Sequence, residues 1–165
     1  MSLIYRAIQF AKESHKGQVR KYNGRPYIEH PMRVAGIVSI LDEADVDMIC
    51  SAWLHDVIED CNVGPNVIYY RFNPYIERIV LDLSNEYSKE KYPDLKREER
   101  KRKECERLSY IVKPAKIIKL ADRIDNLRDI PHDEPFRVKY IEESKLLLNS
   151  LRGVCPVLEK KNWRI

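Results

Sequence analysis

Residues 52–60, AWLHDVIED, place four ionisable side chains on a stretch that is otherwise apolar. His55 and Asp56 stand side by side, and Glu59 and Asp60 follow one turn later. In a continuous helix His55 would stack over Glu59 and Asp56 over Asp60, so that the four share one sector. Burying so much charge is costly without a compensating partner, and a divalent cation would be such a partner. The alternative is a helix end whose charges merely face solvent, but the other candidate ligands favour a metal site.

Two other segments contribute candidate metal ligands. His30 closes the segment PYIEH before Pro31, and the prolines on either side would fix its direction. Asp122 lies in an apolar-backed helix with Asn126 four residues later, so both can point into one cleft. Two imidazoles and two carboxylates suit Mn²⁺, Fe²⁺ or Zn²⁺ better than Ca²⁺, which prefers oxygen ligands. A five- or six-coordinate metal with four protein ligands would keep room for a water molecule, the condition for a hydroxide nucleophile near neutral pH.

The remaining ionisable residues near these segments are assigned structural roles. Asp125 lies on a different face of its helix from Asp122 and Asn126. It is therefore predicted to be a surface charge or a partner for Arg123 or Arg128. His15 follows the last apolar residues of the first helical pattern, and His132 stands in a polar turn. Both histidines are therefore predicted to be structural.

Apolar residues recur at helical spacing through nearly the whole chain. Ser2 and Asp45 are predicted N-caps, and Pro31, Pro65 and Pro74 suit the first turns of helices. Residues 17–29 carry two glycines and a proline, which indicates an ordered loop, and residues 86–95 are expected to form a mobile connection. The predicted helices cover about residues 2–14, 31–41, 45–60, 96–111, 114–129 and 135–151, with two more at the later prolines and a short turn at 156–161. The fold prediction is an all-α bundle of about eight helices.

The composition is that of an ordinary globular protein. A length of 165 residues suits a single domain covering residues 1–165, and 44% hydrophobic with 34% charged residues suits a soluble chain. No apolar run approaches the roughly 18–20 residues that span a bilayer, and the first residues lack the pattern of a secretion signal. We therefore expect a cytoplasmic protein without membrane attachment. The four cysteines lack CxxC spacing and are expected to be reduced.

A charge-rich run covers residues 96–107, KREERKRKECER, in a chain whose net charge is +4. Glu98 with Arg102 and Glu99 with Lys103 are predicted i,i+4 pairs, so a solvated helix face is the favoured interpretation. A basic wall beside an anion-binding cleft is the sharper alternative. Nucleic-acid binding ranks third, since few aromatic residues nearby are available for base stacking.

Four linked motifs stand out along the chain: GQVRK at residues 17–21, PYIEHP at 26–31, LHDVIED at 54–60, and KLADR followed by NLR within 119–128. Through these motifs the sequence resembles the hydrolase domain of the RelA/SpoT alarmone enzymes, a family of HD-type metal-dependent phosphohydrolases. Their order and spacing match the family over roughly residues 4–130. In size the chain is similar to the small stand-alone alarmone hydrolases, the metazoan SpoT homologue among them.

The resemblance implies an HD-domain helical bundle that removes the 3′-pyrophosphate of (p)ppGpp, giving GDP or GTP and pyrophosphate. It implies a Mn²⁺ ion held by four side chains, those of His30, His55, Asp56 and Asp122. Glu59 and Asp60 would position and deprotonate the attacking water. The nucleotide would be contacted by Arg20, Lys21 and Asn126. These roles agree with the needs of phosphoryl attack, a carboxylate for the proton and cations for the developing charge.

Two departures from the family pattern leave alternatives open. The loop reads RKYNGRPYI, one residue longer than the RKSGEPYI form typical of the family, and Arg25 adds a cation near the substrate. Residues 84–107 match the long bifunctional enzymes poorly. The alternative with the same fold is a nucleotide phosphatase acting on NADPH or a nucleoside monophosphate. The alternative of another class is a non-catalytic nucleotide-binding or sensor module, which would not need the water-activating pair Glu59 and Asp60.

Overall fold

A computed structural model describes residues 1–160 of the chain, and within them the architecture is all-helical. The described part contains ten α-helices, against the expected number of about eight, and one isolated bridge between Val19 and Pro26. The helices are α1 (Leu3–Ser14), α2 (Glu29–Ser39), α3 (Val46–Leu54), α4 (Val57–Asp60), α5 (Pro65–Arg71), α6 (Pro74–Leu83), α7 (Arg97–Leu108), α8 (Lys113–Asp129), α9 (Phe136–Ser150) and α10 (Pro156–Lys160). The predicted all-α class is confirmed.

The helix starts follow the predicted capping chemistry in most places. Ser2 accepts a hydrogen bond from the amide of Tyr5, and Asp45 accepts one from the amide of Met48. Pro65 and Pro74 occupy the first positions of α5 and α6, as predicted. Helix α2, by contrast, begins two residues before Pro31, so that His30 belongs to its first turn rather than to the preceding loop.

The predicted continuous helix over residues 45–60 is wrong. Helix α3 ends at Leu54, and α4 begins again at Val57, with Asp56 at φ −103° and ψ −4° between them. Asp56 and Asp60 nevertheless stay one helical turn apart, as predicted, because the amide of Asp60 donates to the carbonyl oxygen of Asp56 at 2.8 Å and the Tyr27 hydroxyl lies within hydrogen-bond distance of both carboxylates. His55 and Asp56 lie at this break, between the end of α3 and the start of α4.

Helix α8 lies at the centre of the larger hydrophobic cluster. Helix α2 packs against both α3 and α8, and α6, α9 and α10 also contact α8. Ile117, Ile118 and Leu120 are almost wholly buried there, and each such side chain stabilises the fold by roughly 1.5–3 kcal/mol. A second cluster joins α1, α3, α5 and α6 around Leu54 and Ile76. The helices α2, α3 and α8 are thus fixed against one another, which brings together the first turn of α2, the C-terminal end of α3 and the middle of α8.

Helix α7 is not the fully solvated helix that its charge run predicts. It buries Glu104, Cys105 and Leu108, and it packs against α9. The predicted i,i+4 pairs are also wrong, since Glu98 pairs with Lys139 at 2.6 Å and Arg102 with Glu106 at 4.0 Å. One face of the charge run therefore belongs to the interior.

The remaining expectations from the sequence concern the state of the cysteines, the C-terminal turn and membrane-spanning helices. The four cysteines are free, as expected. The predicted C-terminal turn is present as α10, although its last predicted residue lies outside the described residues. Each helix within residues 1–160 is too short or too polar to traverse a bilayer.

Candidate functional site

Four side chains from α2, the α3–α4 junction and α8 converge at one point. The Nε2 atoms of His30 and His55 lie 3.2 Å apart. Asp56 Oδ2 lies 2.9 Å from His55 Nε2, and Asp122 Oδ1 lies 3.2 Å from His30 Nε2. Asp122 Oδ1 is 3.9 Å from His55 Nε2. The structure thus brings together all four of the side chains that the sequence singled out as candidate ligands, and His30, His55 and Asp56 form a group with the spacing of a metal site.

The hydrogen bonds of the two Nδ1 atoms determine whether the Nε2 atoms, which face the centre of the cluster, can act as metal ligands. His55 Nδ1 donates to the carbonyl oxygen of Ala52 at 2.9 Å, and His30 Nδ1 donates to Asp125 Oδ2 at 2.7 Å. In a neutral ring the Nε2 atom is then left with a lone pair. Two lone pairs and two carboxylates facing one another repel unless a cation lies between them. The donor set therefore fits a divalent metal, and this N₂O₂ composition suits a transition metal.

The charges of the cluster influence one another strongly. Burial acts to raise the pKa of Asp56, but the charge of His55 and the hydrogen bond from His30 hold it well below its usual range. For Asp122 the effect of burial is likewise overcome, mainly by the neighbouring charge of Lys119, so its pKa is lowered. Burial acts to lower the pKa of His30, yet hydrogen bonds to Asp122 and Asp125 raise it to about 11. The carboxylates thus remain ionised and favour a positive charge among them.

Asp125 has a different role from the predicted one. It is fully buried rather than a surface charge, and its partners are His30 and Arg33 rather than Arg123 or Arg128. The Arg33 guanidinium donates to both of its oxygens, at 2.7 and 2.9 Å. Asp125 therefore orients the His30 ring, the position that a carboxylate behind a metal-binding histidine occupies.

The carboxylates of Glu59 and Asp60 line the cavity in front of this cluster. Glu59 accepts a hydrogen bond from the amide of Asn85 at 3.1 Å. Burial raises the pKa of Glu59, and burial followed by the charge of Asp56 raises that of Asp60. A carboxylate with a raised pKa accepts a proton more readily, which suits general base catalysis.

Tyr27 is a site residue that the sequence analysis missed. Its hydroxyl lies 2.8 Å from Oδ2 of Asp56 and 2.8 Å from Oδ2 of Asp60. Its ring stacks on that of His15 at a centroid distance of 4.8 Å, and the Arg20 guanidinium lies over it. The only available signal was its place three residues before His30, on the same rigid segment. His15, interpreted as structural, packs directly behind it.

The cations of the 17–29 loop do not act alike. Arg20 donates to Asp129 Oδ2 at 2.8 Å and to Asn126 Oδ1 at 2.7 Å. The amide nitrogen of Asn126 in turn donates to Asp122 Oδ1, so Arg20 is linked to the metal-ligand candidates through one side chain. Lys21 lines a neighbouring pocket. Arg25 pairs with Glu29 at 2.8 Å, its side chain 63% exposed, and it lines neither pocket of the site.

The cleft has two lobes that share the side chains of Tyr27, Asn126 and Tyr140. The charged lobe, a cavity of about 210 Å³, contains the carboxylates of the cluster together with Lys101, Lys119 and Arg123. The aromatic lobe, about 350 Å³, contains Arg20, Lys21 and apolar or aromatic side chains, those of Val19, Tyr22, Ile130 and Phe136. Lys101 belongs to α7 and to the charge run of residues 96–107. Its position in the charged lobe agrees with the alternative interpretation of that run, a basic wall beside an anion-binding cleft. The arrangement suits a ligand with phosphate at one end and a base or another planar group at the other.

Comparisons with known proteins agree with this geometry. The model of the family described as HD domain matches residues 7–151. Two relatives named guanosine-3′,5′-bis(diphosphate) 3′-pyrophosphohydrolase MESH1 are 35% identical (Xenopus tropicalis) and 33% identical (Danio rerio), and each match covers 97% of this chain and 90% of the relative. A solved structure of a metazoan orthologue of SpoT that hydrolyses ppGpp superposes with a TM-score of 0.82 at 29% identity, covering 96% of this chain and 90% of that one.

Proposed function

The chain belongs to the HD-domain family, and we propose that it removes the 3′-pyrophosphate of (p)ppGpp, giving GDP or GTP and pyrophosphate. The observation that carries this proposal is the convergence of His30, His55, Asp56 and Asp122 in front of two further carboxylates. The names of the MESH1 relatives, which the chain matches over nearly its whole length, supply the substrate. We also propose that residues 1–165 form a single domain and that the protein is cytoplasmic.

The four converging side chains are the proposed metal ligands. Their two nitrogen and two oxygen donors fit Mn²⁺, with Fe²⁺ or Zn²⁺ as alternatives. When bound, such a cation would supply Lewis-acid activation of the phosphate and of the attacking water. Asp125 and the Ala52 carbonyl hold the two imidazoles in the tautomer that presents Nε2 to the metal.

Glu59 and Asp60 are the proposed catalytic carboxylates. Both lie in the charged lobe, and both have a raised pKa, so one of them can take the proton of the attacking water. Tyr27 holds Asp60 through its hydroxyl. Since Asp60 also forms the end of the short helix α4, its position relative to the metal ligand Asp56 is fixed by the backbone.

Arg20, Lys21 and Asn126 are the proposed nucleotide contacts. Asn126 lines both lobes and accepts a hydrogen bond from Arg20, so the two side chains would lie beside the ribose of a ligand whose phosphate is at the metal end. Lys21 is at the rim of the aromatic lobe, where it can approach a phosphate without losing its hydration. The aromatic lobe then receives the base, with Phe136 and Tyr22 available for stacking.

A product assay tests the proposal. The full chain is incubated with Mn²⁺ and ppGpp, and pyrophosphate and orthophosphate are measured separately, with chelator-treated protein as the control. Release of GDP and pyrophosphate in equal amounts is expected. Orthophosphate from NADPH or a nucleoside monophosphate, without turnover of ppGpp, would assign the chain to the phosphatase alternative. Tight nucleotide binding with no turnover of any of these substrates would assign it to the sensor class.

A further inference from the structure

Arg123 is a buried cation without a carboxylate partner in residues 1–160. It extends from α8, is 8% exposed, and lines the charged lobe. Its Nε and Nη1 atoms are enclosed but have no hydrogen-bond acceptor. Its Cζ atom lies 4.3 Å from the centroid of the Tyr140 ring. This cation–π contact offsets only part of the cost of removing a guanidinium from water, so the site as built lacks an anion.

Lys101, on α7, faces the same lobe and has no ion pair within the described part of the chain. Burial lowers its pKa, and the nearby positive charge of Arg123 lowers it further. Two like charges thus border one cavity. The third cation of the lobe, Lys119, differs because it already pairs with Asp122 at 3.2 Å.

Two further carboxylates of the charged lobe, those of Glu104 and Glu143, have other partners. Glu143 accepts two hydrogen bonds from Arg97, at 2.7 and 3.0 Å. Glu104 accepts from Arg107 and from the backbone amides of residues 86 and 87. The charge of Glu143 acts on Lys101 and partly offsets the lowering of its pKa. Neither carboxylate forms an ion pair with Lys101 or Arg123 within the described residues, so an anionic ligand can supply the partner that these cations lack.

We propose that Lys101 and Arg123 form a subsite for the terminal phosphate of a 3′-diphosphate, which makes the chain select a diphosphate over a monophosphate at the scissile position. This inference rests on the proposed function. The charged lobe runs continuously from the carboxylates of Asp56 and Asp122 to the two cations. A ligand whose scissile phosphate lies at the carboxylate end therefore places its next phosphate against them.

The bond changes fit this placement. The oxygen of water bonds to the phosphorus next to the ribose, and the bond between that phosphorus and O3′ breaks. The electron pair stays on O3′, which takes up a proton, and both phosphates leave together as pyrophosphate. The subsite thus holds the same phosphate group before and after the reaction, and it should bind free pyrophosphate more tightly than orthophosphate.

Direct binding tests the subsite without turnover. Titration calorimetry with inorganic pyrophosphate and with orthophosphate is carried out at fixed ionic strength on the full chain as purified. We expect Arg123→Met and Lys101→Met each to weaken pyrophosphate binding by about tenfold, since each removes a charge-assisted hydrogen bond. Arg123→Lys should keep most of the affinity, and Arg128→Met, an exposed change on the same helix, should leave it unchanged. Equal binding of pyrophosphate by the wild type and both methionine variants would overturn the subsite.

A paired kinetic measurement separates the subsite from the proposed function. The ratio of kcat/KM for ppGpp to that for guanosine 5′-diphosphate 3′-monophosphate should fall about tenfold in Lys101→Met, while the metal content stays that of the wild type. Turnover of ppGpp with an unchanged ratio would reject the subsite and keep the function. Pyrophosphate binding that depends on Arg123 and Lys101, in a chain that does not turn over ppGpp, would keep the subsite and reject the function.

Discussion

The two ends of the charged lobe are built in opposite ways. At the His30 end each polar group has a partner from the chain itself: the imidazoles are held by Asp125 and a backbone carbonyl, and Asp122 by Lys119 and Asn126. At the Arg123 end the cations have no carboxylate partner in the described residues. At the first end, packing of α2, α3 and α8 and hydrogen bonds within the chain orient the groups that would bind a cation. At the second end, the Nε and Nη1 atoms of Arg123 lack hydrogen-bond acceptors from the described residues, and an anionic ligand would supply them.

This difference predicts where substitutions will act. Changes at the His30 end should disturb metal binding and chemistry, because each group there holds another in place. Changes at the cationic end and in the aromatic lobe should mainly alter which ligand is bound and how tightly. The following experiments test that division, beginning with the largest expected effect.

His55→Ala should abolish stoichiometric metal binding and reduce turnover on the order of 10³-fold, because it removes one of four proposed ligands and with it several kcal/mol of Lewis-acid stabilisation. Elemental analysis of protein reconstituted with Mn²⁺ measures the first effect and steady-state kinetics the second. His132→Ala, at an exposed histidine, is the matched control. A His55→Ala protein that retains one metal ion per chain would remove His55 from the ligand set.

Glu59→Gln and Asp60→Asn should each keep the metal and lower kcat by about 10²-fold, since they remove a proton acceptor but leave the four converging side chains in place. The comparison of metal content with kcat separates these two effects. Glu77→Gln, on a neighbouring helix outside the cleft, should leave both unchanged. Near wild-type kcat in either cavity variant would show that the carboxylate in question has no part in proton transfer.

Asp125→Asn should weaken Mn²⁺ binding by about 10- to 100-fold without unfolding the chain, since this carboxylate orients a proposed ligand and raises its basicity. The affinity is measured by calorimetric titration of Mn²⁺, with thermal unfolding as the check on the fold. Asp133→Asn, at an exposed aspartate just beyond α8, is the control. Unchanged affinity would assign Asp125 to the pairing with Arg33 alone.

Lys21→Ala is expected to have the smallest effect. It should raise KM for ppGpp about three- to tenfold, with little change for a small generic phosphodiester that cannot reach the loop. Lys16→Ala provides a matched control, since Lys16 is an exposed lysine that pairs with Glu13 and lines neither lobe of the cleft. Equal changes of KM for both substrates would place Lys21 outside nucleotide recognition.

The sequence predicted the fold class and the residues that meet, because both follow from local patterns. Apolar spacing and capping residues define most helices, and a His-Asp pair on an apolar background is unusual enough to stand out. The break between His55 and Val57 was not predictable in this way, since residues 45–60 keep helical periodicity throughout. Only the packing of α3 against its neighbours, together with the demands of the polar cluster, decides where that helix ends.

Asp125 and Tyr27, which sequence reasoning misjudged, depend on partners distant in the chain. Asp125 is buried because Arg33 and His30 of α2 face it, and nothing within α8 reveals those partners. Tyr27 joins the site because α2 brings its hydroxyl to the α3–α4 junction. Arg25 shows the reverse case: a cation expected near the substrate pairs instead with Glu29, four residues along its own segment.

The hydroxyl of Tyr27 carries one hydrogen, although it faces oxygens of Asp56 and Asp60 at the same distance of 2.8 Å. Only one of the two carboxylates can receive that hydrogen at any moment. A cation that draws electron density from Asp56 would make Asp60 the better acceptor, and the O–H bond would rotate toward it. Binding of a cation would then change the hydrogen bonding of Asp60 through rotation about the C–O bond of Tyr27 alone, without any movement of the helices.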